Sequence, residues 1–172
     1  MSAKLTKDKE QIRVHVRWMI RRDMKEVLHT ELLAGGLHWD EEEFLRTLRQ
    51  RNSIGMIAEH GEQVIGHMVY ELHKYRLNIV NFAVHPAWQR RGVGVAMAET
   101  MVKKLSSHRR TRLTADVPEQ CLSMQLFLRA MKFEAVKVNH MLDGDTYRMV
   151  YSLSDAVDEE GTIDRCNSFL EE

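Results

Sequence analysis

The sequence has little of what marks fibrous, cross-linked or membrane-spanning proteins. Only 2 of its 172 residues are proline and 9 are glycine, which excludes collagen-like and low-complexity chains. The 2 cysteine residues, Cys121 and Cys166, are too few for a disulfide framework or for a zinc site of their own. No apolar run approaches the roughly 20 residues of a membrane-spanning helix, and the N-terminus lacks the apolar core of a signal peptide. These absences favour a soluble, cytoplasmic protein with free thiols.

An excess of charge of either sign is also missing. The 25 lysine and arginine residues are balanced by 25 aspartate and glutamate residues, so there is no global basic field to hold nucleic acid or an anionic membrane. We therefore expect neither of those partners, and no metal. The composition, 44% hydrophobic and 29% charged, is that of a folded domain. We assign the domain to residues 12–153, between a flexible polar tail (1–11) and an acidic tail (154–172).

Between these tails the chain alternates between the hydrophobic periods of strands and helices. Residues 12–18 alternate apolar and charged side chains, as a half-buried strand does. The pairs Asp23–Glu26 and Asp40–Glu43 have capping-box spacing, and each predicts the start of a helix. The predicted strands cover 12–18, 53–59, 64–72, 77–84, 112–117, 133–141 and 146–153, and the predicted helices begin at 23, 40, 92 and, with proline in the first turn, 118. This order predicts an α/β fold in which helices cover both faces of a mixed sheet.

The segment most suggestive of chemistry joins a strand ending at Val84 to a helix beginning at Gly92. Gly92 and Gly94 let the backbone turn tightly and approach a ligand closely. Backbone amides from Arg90 onward are unpaired donors at a helix start. The helix dipole adds partial positive charge there, and the side chains of Arg90 and Arg91 add two full charges. This combination suits a pyrophosphate, although a solvated helix start with flanking arginines has the same pattern.

The full sequence of this segment can be compared with the known phosphate-binding loops. The Walker pattern G-x-x-x-x-G-K-[ST] is absent from the sequence, and the dinucleotide fingerprint lacks its third glycine because position 97 is methionine. Residues 84–94 read V-H-P-A-W-Q-R-R-G-V-G, which resembles the acetyl-CoA motif Q/R-x-x-G-x-G/A of the GNAT superfamily of N-acetyltransferases. The resemblance extends over about 12–153, with the elements in matching order.

Within that superfamily the sequence is most similar to the ribosomal-protein-alanine N-acetyltransferases. Residues 39–44 (W-D-E-E-E-F) resemble their Pro-Trp-Ser-x-x-x-Phe segment, with His38 in place of the proline. The resemblance implies a GNAT-like fold, splayed open between the strands ending at Val84 and Val117, with acetyl-CoA as the co-substrate in that wedge. The residues that it implies for binding of the cofactor are Phe82, Ala83, Val84, Gln89, Arg90, Arg91, Gly92, Val93, Gly94, Val95 and Cys121.

The resemblance also implies direct transfer of the acetyl group to a primary amine. Asp116 aligns with a catalytic glutamate of the N-terminal acetyltransferases, so we expect it to take the amine proton through water. Aspartate is one methylene shorter than the family's glutamate. The family's general-acid tyrosine is replaced here by Leu128, and a family asparagine is replaced by Cys121. Tyr147 and His140, on the last hairpin, are candidates to replace the tyrosine.

Three functions stay open at this point. The acceptor is either the α-amino group of a protein or a small amine (a polyamine, amino acid or antibiotic), which the acidic run 40–43 would attract. The third function is a non-catalytic module that binds acyl-CoA, suggested by the missing tyrosine and asparagine. We expect Trp39 and Met24 to line the substrate groove, with His85 as a second candidate base and Cys121 as a candidate nucleophile. A homodimer is compatible with each function.

Overall fold

The computed structural model describes residues 12–35 and 37–153, so the predicted tails lie outside the described residues. The strands are β1 (His15–Trp18), β2 (Ser53–His60), β3 (Gln63–Leu72), β4 (Arg76–Val84), β5 (Arg112–Pro118), β6 (Glu134–Met141) and β7 (Gly144–Ser152). The helices are α1 (Met24–Ala34), α2 (Glu41–Leu48), α3 (Val93–Val102) and α4 (Leu122–Ala130). In the described part of the chain, every helix is too short or too polar to traverse a bilayer.

The strands form one mixed sheet in the order β1-β2-β3-β4-β5-β7-β6. Neighbouring strands are antiparallel except for β4 and β5, which run parallel and are joined through the crossover helix α3. The predicted α/β class and the predicted order of elements are confirmed. A parallel pair in an otherwise antiparallel sheet is the point at which a crossover replaces a hairpin.

Helices cover both faces of this sheet. On one face, called the α3–α4 face, the core includes Met97, Leu113 and Leu128, and each of these three residues is at most 2% exposed. On the other, called the α1–α2 face, Val27 and Phe44 are fully buried. The apolar stripe of each helix therefore supplies one core, and the sheet separates the two cores.

The parallel pair is short, and this determines where a ligand can enter. β4 and β5 are in register only from Arg76 opposite Arg112 to Ile79 opposite Ala115. Beyond that point the strands part. A β-bulge also falls there, because Val69 and Tyr70 of β3 pair with residues 81 and 79 of β4 and leave Val80 as the extra residue. Bulges redirect side chains, and they occur often beside active sites.

The start of α1 differs from the predicted capping box. Asp40 caps α2 as predicted, accepting a 2.8 Å hydrogen bond from the backbone N–H of Glu43. Asp23 makes no such cap, because Arg17 donates to both of its carboxylate oxygens at 2.8 and 3.0 Å. This ion pair lowers the pKa of Asp23, which is 4% exposed. A partner six residues upstream therefore overrides the local signal. Gly35 ends α1 in the left-handed conformation, as predicted.

The later elements begin and end a few residues from their predicted bounds. Pro118 was expected in the first turn of α4, but it ends β5 opposite Thr146, and α4 starts only at Leu122. Proline's fixed φ also suits the end of a strand, where the missing N–H costs no ladder bond. The side-chain amide of Gln125 donates to the Pro118 carbonyl at 3.0 Å and closes the connection.

Candidate active site

A cavity of about 730 Å³ lies where β4 and β5 part. Its narrow end is at Ile79 and Ala115, the last pair of the parallel ladder. The start of α3 and the inner side of α4 form two walls, and the end of α1 with Leu37 forms a third. The backbone of β4 from 81 to 84 borders this space without a strand partner on its β5 side. It is therefore free to pair with an extended ligand, in the manner of an added strand.

The start of α3 presents backbone amides to this cavity. Gly92 has φ +85 and Arg90 has φ +65, so the chain makes a left-handed turn directly before the helix. The first intrahelical bond runs from the N–H of Ala96 to the carbonyl of Gly92 at 2.9 Å, and the earlier amides of the first turn stay without intrahelical partners. The Gln89 side chain donates to the Val84 carbonyl at 3.0 Å, which ties this loop to the end of β4.

Close packing explains why a small residue suits position 94. A Cβ added to Gly94 would lie 3.2 Å from two ring carbons of Phe127 on α4. The Phe127 ring also packs against Phe82 of β4, with 5.5 Å between the centroids. These contacts bring α3, α4 and β4 together around one narrow part of the cavity, where a larger residue at 94 would intrude on the ring or on a ligand.

The predicted cofactor residues line the cavity, with Arg91 as the exception. The guanidinium of Arg91 lies 5.2 Å from the centroid of the Trp88 ring. Its Nε is buried without a hydrogen-bond partner among the described residues. Arg90 is among the residues that line the cavity, so one of the two predicted arginines borders the space for an anion, and the other packs on an aromatic ring.

Asp116 also lines the cavity, but its carboxylate is paired. Arg148 of β7, directly opposite in the sheet, donates from Nε and Nη2 to the two carboxylate oxygens at 2.8 and 2.6 Å. The hydrogen bonds to Asp116 raise the pKa of Arg148, which stays a cation. A carboxylate has about four lone-pair sites, so each oxygen of Asp116 keeps one for water or an amine.

The other predicted catalytic and substrate residues are not among the residues that line the cavity. Tyr147 is opposite Val117 and packs on the core of the α3–α4 face. His140 is exposed on the hairpin and pairs with Asp145 at 2.9 Å. Met24, only 7% exposed, lies in the core of the α1–α2 face, and Trp39 packs edge-on against Phe44 beside it.

His85 is likewise absent from the cavity lining. Its Nδ1 accepts a 3.1 Å hydrogen bond from the backbone N–H of Ala87, and its ring lies 5.9 Å from that of His29. Because Nδ1 caps the short turn that follows β4, the imidazole serves the local backbone. Cys121 does line the cavity, at the residue that precedes α4.

The lining contains few groups that can exchange protons. Its titratable side chains, among the described residues, are those of Arg90, Asp116 and Cys121. Leu128 lines the cavity where the resemblance would place a tyrosine, and it is 2% exposed. Within the described ranges no three His, Cys, Asp or Glu side chains are grouped as metal ligands. The arrangement can therefore hold an extended acyl thioester and accept one proton at a carboxylate.

Sequence reasoning did not find a buried polar cluster beside the cavity, formed by Glu31, His67 and Asn81. The three side chains are 1%, 0% and 3% exposed, and Asn81 lines the cavity. Burial alone would raise the pKa of Glu31, but the hydrogen bonds from His67, the backbone of Trp39 and Asn81 outweigh it and hold that pKa below the ordinary value. The available signal was a histidine and an asparagine that each stand between apolar residues, in the runs V-I-G-H-M-V (64–69) and I-V-N-F-A-V (79–84).

Comparisons with known proteins agree with this geometry. The family model described as "Acetyltransferase (GNAT) family" matches residues 19–133. No curated protein is similar enough in sequence to match the chain. Among solved structures, the ribosomal-protein-S18-alanine N-acetyltransferase from Escherichia coli superposes with a TM-score of 0.73 at 18% identity, over 86% of this chain and 98% of that one.

Two further structures show the same fold. Ard1 from Thermoplasma volcanium is 16% identical, with a TM-score of 0.72 over 81% of this chain and 97% of that one. NAA60 from Arabidopsis thaliana, in complex with acetyl-CoA, is 15% identical, with a TM-score of 0.69 over 82% of this chain and 100% of that one. Because the family model matches more than half of the sequence, the chain belongs to the GNAT family of acetyltransferases, which use acetyl-CoA.

Proposed function

We propose that this acetyltransferase moves the acetyl group of acetyl-CoA directly to the α-amino group at the N-terminus of a protein or peptide. The observation that carries the proposal is the parting of β4 and β5 beyond Ile79 and Ala115, which opens a cavity bordered by the amides at the start of α3. Such a cavity accommodates a long thioester whose anionic end meets a helix N-terminus.

The cofactor's two ends place different demands on this cavity. The diphosphate needs several N–H donors and positive charge, which the backbone of 92–95 and the side chain of Arg90 supply. The pantetheine arm is an extended amide chain, and the unpaired backbone of 82–84 offers it strand-like hydrogen bonds. The thioester then lies toward the narrow end of the cavity, where an unpaired backbone amide of β4 can stabilise the developing oxyanion.

The reaction needs one proton acceptor. The neutral amine attacks the thioester carbonyl, a C–N bond forms, the C–S bond breaks and coenzyme A leaves as a thiolate. Asp116 accepts the proton that the amine loses, through water on a lone pair that Arg148 leaves unused. The thiolate takes a proton from solvent, because a thiol with a pKa near that of cysteine, about 8.5, leaves without a protein acid.

An α-amino group suits this modest machinery better than a lysine side chain does. Its reference pKa is about 7.7–8.0, against about 10.4 for lysine, so a much larger fraction is already neutral near pH 7.5. An N-terminal amine therefore needs less help from a general base, and a single paired carboxylate is sufficient for it. The structural similarity to a ribosomal-protein-S18-alanine N-acetyltransferase supports the same class of acceptor.

The acidic run that would attract a small cationic amine is already occupied. Asp40 caps α2, and Glu43 forms an ion pair with Arg46. Neither residue is among those lining the cavity, nor are Glu41 and Glu42. The acidic run therefore serves α2 itself, which removes the main reason to favour a polyamine or aminoglycoside acceptor.

Coenzyme A release measured with a thiol reagent tests the proposed acceptor. A set of peptides with free N-termini is compared with the same peptides blocked at the N-terminus but carrying an internal lysine, and with polyamines, amino acids and aminoglycosides. We expect release only with the free N-termini. Release with small amines alone would overturn the acceptor class, and acetyl-CoA binding without release for any amine would favour the non-catalytic module.

A further inference from the structure

The buried cluster of Glu31, His67 and Asn81 is costly, so it calls for a reason beyond folding. Its members come from α1, β3 and β4, and none is more than 3% exposed. An ionised carboxylate is expensive to bury unless hydrogen bonds satisfy it. Replacing such a cluster with apolar side chains of similar volume is often neutral or stabilising. Its presence in an otherwise apolar layer therefore points to a role at the adjoining cavity.

The hydrogen bonds of the cluster determine which way the Asn81 amide faces. Asn81 Nδ2 donates to Glu31 Oε1 at 3.2 Å, and Asn81 Oδ1 lies 3.1 Å from His67 Nε2. An ionised carboxylate can only accept, so the amide nitrogen must face Glu31. His67 Nε2 also lies 3.0 Å from Glu31 Oε2, and it must carry the proton because both of its neighbours are acceptors.

The His67 ring is held through this one nitrogen. Its Nδ1 is buried and has no hydrogen-bond partner among the described residues, and the ring packs edge-on against Phe44. All of its polar contacts therefore go to Glu31 and Asn81.

The cluster links two parts of the cavity wall, the connection between α1 and α2 and the strand β4. Glu31 Oε1 also accepts a 3.1 Å hydrogen bond from the backbone N–H of Trp39. That bond ties down the connection between α1 and α2, whose Gly35 and Leu37 line the cavity. Asn81 lines the same cavity directly after the bulge in β4. One carboxylate thus sets the position of the α1–α2 connection and of the polar group on β4.

We propose that Glu31 and His67 are positioning residues that orient the Asn81 amide toward the acceptor peptide, an inference that rests on the proposed function. The free N–H of Asn81 donates to a carbonyl oxygen of that peptide, which leaves the lone pair of the attacking amine unoccupied. With one Nδ2 hydrogen bound to Glu31, the second hydrogen is left for a ligand in the cavity. Several cofactor residues pack toward α3 and α4, among them Phe82 and Val84, whereas the Asn81 side chain bonds to Glu31 of α1 and to His67 on the other face. Loss of Glu31 therefore affects turnover and the acceptor KM, and leaves cofactor affinity unchanged.

The substitution Glu31→Gln has a matched control in Glu26→Gln on the same helix. The Glu26 carboxylate also binds β3, accepting a 2.9 Å hydrogen bond from the backbone N–H of Val64, but it is not among the cavity-lining residues. Both changes remove one charge and disturb the contact of α1 with β3. In Glu31→Gln alone, the new NH2 group meets a donor in either orientation, His67 Nε2–H or Asn81 Nδ2, so one of the hydrogen bonds that orient Asn81 is lost.

The test is steady-state kinetics on both variants with a peptide substrate, together with calorimetric titration of acetyl-CoA. We expect Glu31→Gln to lower kcat/KM for the peptide by about 10- to 100-fold, the cost of a small misplacement, with an unchanged Kd for acetyl-CoA. Glu26→Gln retains wild-type kinetics. Equal losses in the two variants, or wild-type kinetics in a folded Glu31→Gln, would overturn the proposal.

A second measurement does not depend on turnover. In ¹⁵N spectra of the wild type, the Asn81 side-chain amide signals are expected to shift between the coenzyme A and acetyl-CoA complexes, because the acetyl group reaches the narrow end of the cavity. The same difference is expected in Glu26→Gln and is lost in Glu31→Gln. If the wild type releases no coenzyme A with any amine, the proposed function fails, and this shift still decides whether Glu31 orients Asn81. If the Asn81 side-chain signals of the wild type are the same in the coenzyme A and acetyl-CoA complexes, the proposed orientation of the Asn81 amide is contradicted.

Discussion

The two sides of the cavity are built in different ways. On the cofactor side, the start of α3 offers backbone amides from a few consecutive residues, with Gly92 and Gly94 allowing the close approach. On the acceptor side, the polar groups are side chains from separate elements, among them Asp116 paired with Arg148 across the sheet. A site made of backbone is encoded locally, whereas a site made of side chains depends on which elements the fold brings together.

The largest effect expected from this comparison comes from the acceptor side. Asp116→Asn removes the proton acceptor, so we expect kcat to fall about 100-fold, a typical contribution of a general base. The Kd for acetyl-CoA stays at the wild-type value, because the cofactor is bound by the other side. Single-turnover kinetics and calorimetry on the same preparation separate the two quantities.

Arg148→Met is the matched control for this substitution. It removes the same ion pair but leaves the carboxylate, with both oxygens free of their 2.6 and 2.8 Å partners. We expect this variant to keep a kcat close to that of the wild type. If Arg148→Met and Asp116→Asn lose activity equally, the ion pair acts structurally and Asp116 is not the base.

On the cofactor side, Gly94→Val should weaken the binding of acetyl-CoA by the folded protein. The added side chain begins 3.2 Å from the Phe127 ring and extends into the space before α4. Gly94 has no positive φ, so valine causes no backbone strain there. We expect the Kd for acetyl-CoA to rise roughly 30-fold, or about 2 kcal/mol.

Thr100→Val, on the same helix, is the control variant for Gly94→Val, and calorimetry measures the Kd for acetyl-CoA of both. The Thr100 hydroxyl only donates to the Ala96 carbonyl, at 2.8 Å, and Thr100 is not among the cavity-lining residues. We expect its Kd to match the wild type. An unchanged Kd in Gly94→Val as well would mean that acetyl-CoA does not pass this point of α3.

The last expected effect is a pH dependence of stability, which comes from carboxylates of and beside α1. The pKa values of Asp23 and Glu31 are lowered in the folded state, by the hydrogen bonds from Arg17 and by those from His67, Trp39 and Asn81 respectively. Their stabilisation is therefore complete above the unfolded pKa values of about 3.9 and 4.3, and it is lost as the pH falls through the lower folded values.

Thermal unfolding between pH 7 and pH 3 measures this dependence. We expect Glu31→Gln to be about 2 kcal/mol less stable than the wild type at pH 7, as for loss of hydrogen bonds to a charged group. The difference shrinks as the pH falls below about 4. Glu43→Gln, which breaks the surface pair with Arg46, leaves stability close to that of the wild type at each pH. A difference between Glu31→Gln and the wild type that is independent of pH would contradict the ionised state of Glu31.

Local signals predicted much of the fold. Gly35 ends α1 and Asp40 caps α2 as the sequence indicated, because both act on backbone within three residues. Asp23 shows the limit of such signals. Its capping partner was within reach, but Arg17 on a neighbouring element binds the carboxylate more strongly. Tertiary ion pairs of this kind have no spacing rule along the chain.

The two sides of the site also differ in how far the sequence predicts them. The motif from Gln89 to Gly94 indicated the cofactor side, because one turn of backbone makes it. The cluster on the other side joins Glu31 to residues 36 and 50 positions further along the chain. Nothing in the sequence near Glu31 indicates those contacts. The orientation of Arg91 toward Trp88 likewise depends on packing that the motif does not encode.

A crystal structure of the complex with acetyl-CoA tests the central claim most directly. The account predicts diphosphate oxygens at about 2.7–3.2 Å from backbone nitrogens of residues 92–95, with the pantetheine arm along 82–84 and the acetyl group between β4 and β5. A cofactor bound elsewhere on the molecule, or a diphosphate held by side chains alone, would contradict it.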